Sequence, residues 1–163
     1  MYKLLLQANQ SKGFTLIELA LIIVVLGILA SSALPKFFEL SGYQQRGFFD
    51  ETLNAIRYAQ KLAVATGCNV QFSTASNQYT LKRPGASDRS LCSSSTASDF
   101  TQAVSRPGSG ESTYQGSQSG VSISNTTLYF NAQGTASNNA TITLANRQIT
   151  VVRNTGFVYD STP

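Results

Sequence analysis

Residues 14–34 read FTLIELALIIVVLGILASSAL, an apolar stretch whose single charged side chain is Glu18. At about 1.5 Å per residue, a helix of this length spans about 30 Å, the thickness of the hydrocarbon core of a bilayer. Lys3 and Lys12 precede the stretch, and basic residues favour the cytoplasmic side of a membrane. We therefore expect a transmembrane or filament-core helix over residues 14–35, with a cytoplasmic N-terminus and an exported remainder.

Glu18 argues against a helix that serves only as an anchor. A carboxylate inside an apolar helix costs about 2.5–3.5 kcal/mol on insertion scales, and such residues usually have a function. A secretory signal peptide is the other alternative, because Ala30-Ser31-Ser32-Ala33 resembles a small-x-small cleavage site. Neither alternative gives a reason for an acidic residue at position 18.

The residues around Glu18 resemble the N-terminal signature of the type IV prepilins, a superfamily that includes the type II secretion pseudopilins. The matching residues are Lys12-Gly13-Phe14-Thr15-Leu16-Ile17-Glu18, followed by Gly27 and Pro35. The resemblance implies a leader of residues 1–13, which a prepilin peptidase removes after Gly13 before it methylates the new N-terminal amine of Phe14. It also implies that Glu18 pairs with the N-terminal amine of a neighbouring subunit. Each charge alone is costly in a filament core, and the pair is far less so.

Gly27 and Pro35 are unfavourable inside a helix. In the resembling family they lie where the helix can bend or loosen on polymerisation, so the resemblance assigns both to assembly. The partners that it implies are major and minor pilin subunits, a prepilin peptidase/N-methyltransferase and an inner-membrane assembly platform. It places the protein in the bacterial inner membrane, with a single span and a periplasmic C-terminal domain, and then in a pilus at the cell surface.

Composition excludes several classes of function. The chain of 163 residues has no histidine and two cysteines, so a zinc site lacks ligands and histidine-based acid–base chemistry is excluded. The scattered carboxylates form no recognisable pair, and we expect neither enzyme activity nor a cofactor. Removal of the leader lowers the formal net charge from +4 to +2, which is too small to indicate nucleic acid as a partner.

Cys68 and Cys92 are the two cysteines, and in an exported chain such a pair favours a disulfide. Cys68 has the strand parity of Val70 and Phe72, so we expect it to point inward. A bridge would close a loop of about 25 residues and stabilise the fold by about 3–4 kcal/mol in the chain-entropy model. Sequence spacing does not report distance, so two free thiols remain the alternative.

Residues 36–67 are expected to form an amphipathic helical stalk. Apolar residues recur there at three- and four-residue spacing, namely Phe49, Leu53, Ile56, Ala59 and Ala63. Gly67 is a suitable helix stop. Gly42 and Gly47 leave room for a bend or a brief break.

Residues 68–163 are expected to form a globular β domain with two hairpins. In the first hairpin, a four-residue loop over residues 74–77 would place Phe72 opposite Tyr79 and Val70 opposite Leu81. In the second, a turn at Asn146-Arg147 would place Ile142 opposite Val151 and Leu144 opposite Ile149. Further strands are expected at residues 121–124, 127–131 and 157–159.

The Ser/Gly-rich residues 84–120 are expected to form a long surface loop with short ordered pieces. The predicted fold class is therefore α+β. A long hydrophobic N-terminal helix, like that of a pilin, continues into an amphipathic helix, which packs on an antiparallel sheet or on two small sheets.

The outer domain resembles the GspH/FimT group of minor pilins and pseudopilins. The resembling segments are AIRYAQKLAVATG (55–67), LYFNAQGTA (128–136) and ITVVRNTGFVY (149–159), and the MshC-type minor pilins of mannose-sensitive haemagglutinin (MSHA) pili look most similar. Major pilins usually carry a cysteine pair that encloses a C-terminal region, whereas both cysteines here precede residue 93. The resemblance thus implies a minor pilin of an MSHA-like type IV pilus that takes part in assembly or initiation.

Two alternatives to that function remain. The first is a GspH-like pseudopilin of a type II secretion system. The second is a FimT-like minor pilin that binds DNA through arginines around the closing glycine. Here no arginine follows Gly156. The basic residues nearby or elsewhere are more simply interpreted as solvated surface charge, and they are Lys82, Arg83, Arg89, Arg147 and Arg153.

Overall fold

The computed structural model describes residues 13–85 and 89–163, and over residues 32–41 it describes the backbone alone. Residues 1–12 of the predicted leader and the side chain of Pro35 therefore lie outside the described residues. The contacts divide the chain into two compact units, one ending at Ser41 and the other spanning Gly42–Pro163.

One helix, α1, runs over Leu16–Thr66. Thr15 caps its start, because the Thr15 hydroxyl accepts a hydrogen bond from the N–H of Glu18 at 3.3 Å. At the other end, Gly67 takes a φ of +67° and its N–H donates to the carbonyl of Ala63 at 2.9 Å. The helix stop predicted at Gly67 is confirmed.

The C-terminal part of α1 carries the predicted apolar face. It buries Phe48, Phe49, Thr52, Ala55, Ile56, Ala59 and Ala63, with Leu53 partly buried beside them. The helix continues through Gly42 and Gly47, so the brief break that these glycines allowed does not occur.

Within residues 13–85 and 89–163, eight antiparallel strands form two sheets. The first sheet contains β1 (Val70–Ala75), β2 (Gln78–Arg83), β3 (Gln102–Ala103), β4 (Gln115–Ser117) and β5 (Thr126–Phe130), in the order β3-β2-β1-β5 with β4 also paired to β2. The second sheet contains β6 (Ala140–Leu144), β7 (Arg147–Val151) and β8 (Val158–Asp160), in that order.

The register predicted for the first hairpin is wrong by two residues. The structure pairs Phe72 with Leu81 and Thr74 with Tyr79 around a two-residue turn. Ser76 and Asn77 form that turn with φ of 51° and 60°, as a type I′ turn requires. A slip of two residues preserves side-chain parity, so the four predicted inward residues still face the core.

The register predicted for the second hairpin is also wrong by two residues. Its turn lies at Ala145-Asn146, one residue earlier than predicted, and Ile142 therefore pairs with Ile149. Ala145 adopts a φ of 49°, which an alanine rarely does, so residue type does not predict a turn at this position. Ile142 and Ile149 are nevertheless both buried, as predicted.

The remaining strand predictions are mostly confirmed. The strands expected at residues 127–131 and 157–159 correspond to β5 and β8 within one residue. Residues 121–124 do not form a strand, and Ile123 makes an isolated bridge with Leu144 instead.

The Ser/Gly-rich segment packs partly into the core, which a surface loop would not do. It contains β3, β4 and a short 3-10 helix at Ala97–Asp99, and it buries Phe100 and Val104. The carbonyl of Val104 accepts a hydrogen bond from Tyr114, which closes residues 105–113 into an excursion at the edge of β2. The prediction of short ordered pieces was correct, but their burial was not anticipated.

A single core joins the C-terminal part of α1 to both sheets. Its largest fully buried side chains include Phe49 and Ile56 from α1, Phe72 and Tyr79 from the first sheet, and Ile149 from the second. The α+β class, with a helix on two antiparallel sheets, is confirmed.

Gly156 is the glycine that the fold tolerates least well as alanine. Its φ is +62°, and an added Cβ would collide with the backbone carbonyl of Gly134. We expect Gly156→Ala to lower the free energy of unfolding by about 2–5 kcal/mol, because a left-handed alanine and an overpacked contact both cost energy. Chemical denaturation of the detergent-solubilised chain measures this.

Gly108→Ala is the matched control for Gly156. Its φ is +76°, yet an added Cβ meets no atom within 4 Å. We expect this variant to cost about 1–2 kcal/mol from backbone strain alone. If both variants lower the free energy of unfolding equally, the contact with Gly134 contributes nothing to the effect of Gly156→Ala.

Candidate functional site

The N-terminal part of α1 is an apolar surface that the chain itself does not cover. Its large apolar side chains are 43–87% exposed, and they are Phe14, Leu16, Ile17, Leu19, Leu21, Ile22, Ile23, Val24, Val25, Leu26, Ile28 and Leu29. An apolar surface of this extent marks a site of contact with lipid or protein. A helix that is hydrophobic on all sides is normally buried in its working environment.

Within the part of the chain that the structure describes, no helix has both the length and the apolarity needed to cross a membrane.

Glu18 lies in the first turn of α1, near the N-terminal end of this apolar surface. The sequence Thr15-Leu16-Ile17-Glu18 has the spacing of a capping box, with Thr15 as the N-cap and Glu18 at the third helical position. A carboxylate there is favoured by the positive end of the helix dipole. Among the described residues Glu18 has no ion-pair partner, so its charge is available to a group outside the described chain.

Packing among the described residues does not require a glycine at position 13 or 27. An added Cβ at either position meets no atom within 4 Å. A helical glycine nevertheless costs about 0.8–1.0 kcal/mol relative to alanine, so Gly27 carries a cost that the isolated subunit does not explain. The helix assignment continues through Pro35. The processing and assembly roles of Gly13, Phe14, Glu18, Gly27 and Pro35 stay predictions.

A disulfide joins Cys68 to Cys92, which confirms the predicted bridge. Cys68 precedes β1 and is half-buried, so the inward direction expected from strand parity is only partly realised. The bridge fixes the start of the Ser-rich segment to the end of α1. Asn69 reinforces it, because its N–H donates to the carbonyl of Cys92 at 2.7 Å and its side-chain amide donates to the carbonyl of Ser94 at 2.8 Å.

Replacement of both Cys68 and Cys92 by serine should lower the free energy of unfolding by about 3 kcal/mol, since the unfolded chain regains the entropy of a loop of about 25 residues. The chain should still fold, because the hydrogen bonds of Asn69 remain. Denaturant unfolding of the double variant and of the reduced wild type should agree. A loss below about 1 kcal/mol in both would contradict a structural role for the bridge.

Arg106 ties the excursion at residues 105–113 to the core. Its guanidinium forms an ion pair with Glu51 on α1. It also donates hydrogen bonds to the phenol oxygen of Tyr79 at 2.9 Å and to the carbonyl of Gln115 at 3.0 Å. Oε2 of Glu111 lies 3.3 Å from its Nε, an ion-pair distance without hydrogen-bond geometry. Sequence reasoning missed this cluster because its members belong to distant segments.

The Arg106 cluster is structural and not catalytic. Burial raises the pKa of Tyr79 far above its ordinary value, and the hydrogen bond that Tyr79 donates to Glu51 at 2.7 Å adds to this effect. The hydrogen bond with Glu51 also raises the pKa of Arg106. Both groups therefore keep their protons near neutral pH. Among the described residues there is also no group of three or more potential metal ligands.

Two polar side chains of α1 donate hydrogen bonds to backbone carbonyls of later segments of the chain. The guanidinium of Arg57 donates to the carbonyl of Val158 at 3.1 Å. The side-chain amide of Gln60 donates to the carbonyls of Gly134 at 2.8 Å and Thr155 at 3.2 Å. These residues lie in the AIRYAQKLAVATG segment, so the resembling segments of the outer domain meet in space.

Two of the five basic residues considered for DNA binding act within the fold. Arg147 lies 3.7 Å from the ring centroid of Phe49 and forms an ion pair with Asp160 at 2.6 Å. The hydrogen bonds from Thr162, together with Arg147, lower the pKa of Asp160. Arg89 donates to the carbonyl of Thr66 at 2.7 Å and so caps the end of α1. A free basic surface of five residues is therefore not present.

Comparisons with known proteins match both parts of the chain. Residues 8–34 match the family described as Prokaryotic N-terminal methylation motif. Residues 50–156 match the family described as Type II transport protein GspH.

Two relatives are filament proteins. A protein of Thermus thermophilus named Type IV narrow pilus major component PilA5 is 36% identical over 110 residues, which cover 61% of this chain and 90% of that protein. A protein of Myxococcus xanthus named Type IV major pilin protein PilA is 36% identical over 52 residues, which cover 32% of this chain and 24% of that protein. No solved structure matches the chain significantly.

Proposed function

Because this chain belongs to the type IV prepilin superfamily and its outer domain to the GspH family, we propose that it is a minor subunit of a type IV pilus, processed after Gly13. Proteins of this superfamily are structural subunits that assemble with other pilins, and this chain is not an enzyme. The minor role, the processing site and the MSHA-like class of pilus are the proposal.

The observation that carries this proposal is the apolar surface of residues 14–31 with Glu18 as its single charge. A signal peptide or an anchor gains nothing from a carboxylate in this position. A filament does, because the carboxylate can neutralise the N-terminal ammonium of a neighbouring subunit when both leave water. In this account Gly27 and Pro35 weaken the helix where it must adapt to its neighbours.

The proposed path to the filament follows from the same segment. The precursor inserts into the inner membrane with its leader in the cytoplasm and its outer domain in the periplasm. The prepilin peptidase cuts after Gly13 and methylates Phe14, and an assembly platform transfers the subunit into the pilus. The basic Lys3 and Lys12 support the orientation.

The minor role is supported by the outer domain. The cysteine bridge joins the end of α1 to the Ser-rich segment and does not enclose a C-terminal region. The match to the GspH family covers that domain. The names of the two relatives point instead to a major component, so subunit stoichiometry is the quantity to measure.

Quantitative mass spectrometry of sheared, purified filaments tests the proposal. We expect the chain to be present in the filaments at a small fraction of the copies of the most abundant pilin. Its absence from filaments would contradict the function, and a copy number equal to that of the most abundant pilin would contradict the minor role alone.

The second candidate is a pseudopilin of a type II secretion system, which the description of the GspH family favours. Deletion of the coding sequence distinguishes the two. Loss of surface pili with normal protein secretion supports the pilus, whereas loss of secretion with normal pili supports the pseudopilus.

A further inference from the structure

A cleft of about 640 Å³ lies between the segment that follows β5 and the segment that follows β7. We call it the Arg153 cleft, and its polar lining consists of Tyr129, Asn131, Thr135, Ser137, Arg153 and Asn154. From this lining we infer that the cleft binds a carboxylate-bearing sugar, such as a uronic acid residue of a polysaccharide. The filament function neither requires nor predicts this site.

The walls of the cleft are held in place before any ligand binds. The N–H of Ala136 donates to the carbonyl of Arg153 at 2.9 Å, which joins the two segments directly. The N–H of Arg153 donates to the side-chain oxygen of Asn139 at 2.8 Å. From α1, Gln60 holds Gly134 on one segment and Thr155 on the other. Because the backbone of both walls is already held, binding would cost little backbone entropy.

Several polar groups of the cleft are unused within the described residues. The guanidinium of Arg153, the side-chain amide of Asn154 and the hydroxyl groups of Tyr129 and Thr135 make no hydrogen bond there. The side-chain oxygen of Asn131 accepts from the N–H groups of Gln133 and Thr135, which leaves its NH2 group as a donor. Polar groups that line a cleft and have no partner within the described fold are available to a ligand.

The charge of the lining selects the chemical class of the ligand. Arg153 is its single charged residue, and a guanidinium fork matches the two oxygens of a carboxylate. The neutral amides and hydroxyls around it match the hydroxyl groups of a pyranose ring. A nucleic acid strand would favour a row of cations, and an apolar peptide would favour an apolar lining, which here is limited to Ala136 and the ring of Tyr129.

Saturation-transfer NMR and calorimetry on the full processed chain test the inference, in a detergent without a sugar headgroup. The probes are digalacturonate, neutral galactobiose and acetate at one ionic strength. We expect digalacturonate to bind with a Kd of about 1 mM. Galactobiose and acetate should each bind at least about tenfold more weakly. Equal binding of acetate or galactobiose would overturn the assignment of a sugar acid.

Arg153→Gln should weaken digalacturonate binding about tenfold or more, because the charge-assisted contact is lost. Its guanidinium has no partner in the described fold, so the thermal unfolding midpoint should not change. Arg46→Gln removes the same charge from an exposed position on α1 and should bind as the wild type does. Equal effects of the two variants, or no effect of Arg153→Gln, would overturn the site, as would salt-sensitive binding of a DNA oligonucleotide that displaces the sugar.

Discussion

The variant Glu18→Val should be almost absent from filaments while its outer domain stays folded. In the proposed filament core, the ammonium of Phe14 on one subunit is neutralised by Glu18 of another. Without the carboxylate, that ammonium is buried unpaired, at a cost of about 3–5 kcal/mol. Since about 1.4 kcal/mol corresponds to a factor of ten, we expect incorporation to fall about 100-fold or more.

Three further measurements make the Glu18→Val result specific. The variant should remain in the membrane, because loss of the carboxylate makes the apolar helix more favourable in lipid. It should also form the bridge between Cys68 and Cys92, since Glu18 lies in the other compact unit. Asp50→Asn, which removes a negative charge from an exposed position, should assemble normally. Wild-type incorporation of Glu18→Val would refute the pairing role.

The variant Gly13→Val should accumulate as an uncut precursor held in the membrane. Gly13 is exposed, and an added Cβ meets no atom of the described chain within 4 Å. The substitution therefore leaves the fold unchanged, and any effect arises where the peptidase approaches the backbone. A β-branched side chain also restricts that backbone. We expect cleavage to fall about 100-fold, and immunoblots of precursor and mature forms measure it.

Gly13→Ala is the graded control for this prediction. Its single methyl group should slow processing less than valine does, so both forms should be visible. If Gly13→Val is processed at the wild-type rate, the cut does not follow Gly13, and the leader assignment is wrong.

Periodicity and turn chemistry predicted which residues face the core better than they predicted which residues pair. The alternation of Val70, Phe72, Tyr79 and Leu81 fixes a common face, and all four are buried. It cannot distinguish a four-residue loop from the two-residue turn observed, because both keep the same parity. Ser76 in a left-handed conformation carries no sequence signal comparable to Asn-Gly.

The polar contacts between distant segments of the outer domain could not be predicted from the sequence. Arg106 meets Glu51 across 55 residues of sequence, and its role depends on how the Ser/Gly-rich segment returns to β2. The Arg153 cleft likewise forms where two distant segments meet. The disulfide could be predicted because two cysteines allow one intramolecular pairing.

For the N-terminal segment, by contrast, the candidate site residues come from the sequence and not from the structure. Roles for Gly13, Phe14 and Glu18 could be predicted from the sequence alone, because their signature is local and specific, and they stay predictions. The isolated structure adds that the surface around them is uncovered and that Glu18 has no ion-pair partner among the described residues. In the proposed filament this surface is covered by neighbouring subunits, so the decisive test concerns the processed and assembled protein.

Mass spectrometry of the N-terminal peptide from the membrane and filament fractions is that test. The first basic residue after Gly13 is Lys36, so trypsin should release residues 14–36. We expect a peptide that begins at Phe14 and carries one methyl group on its amine. A mature chain that begins after Ala33, or a filament-bound chain that retains residues 1–13, would contradict it.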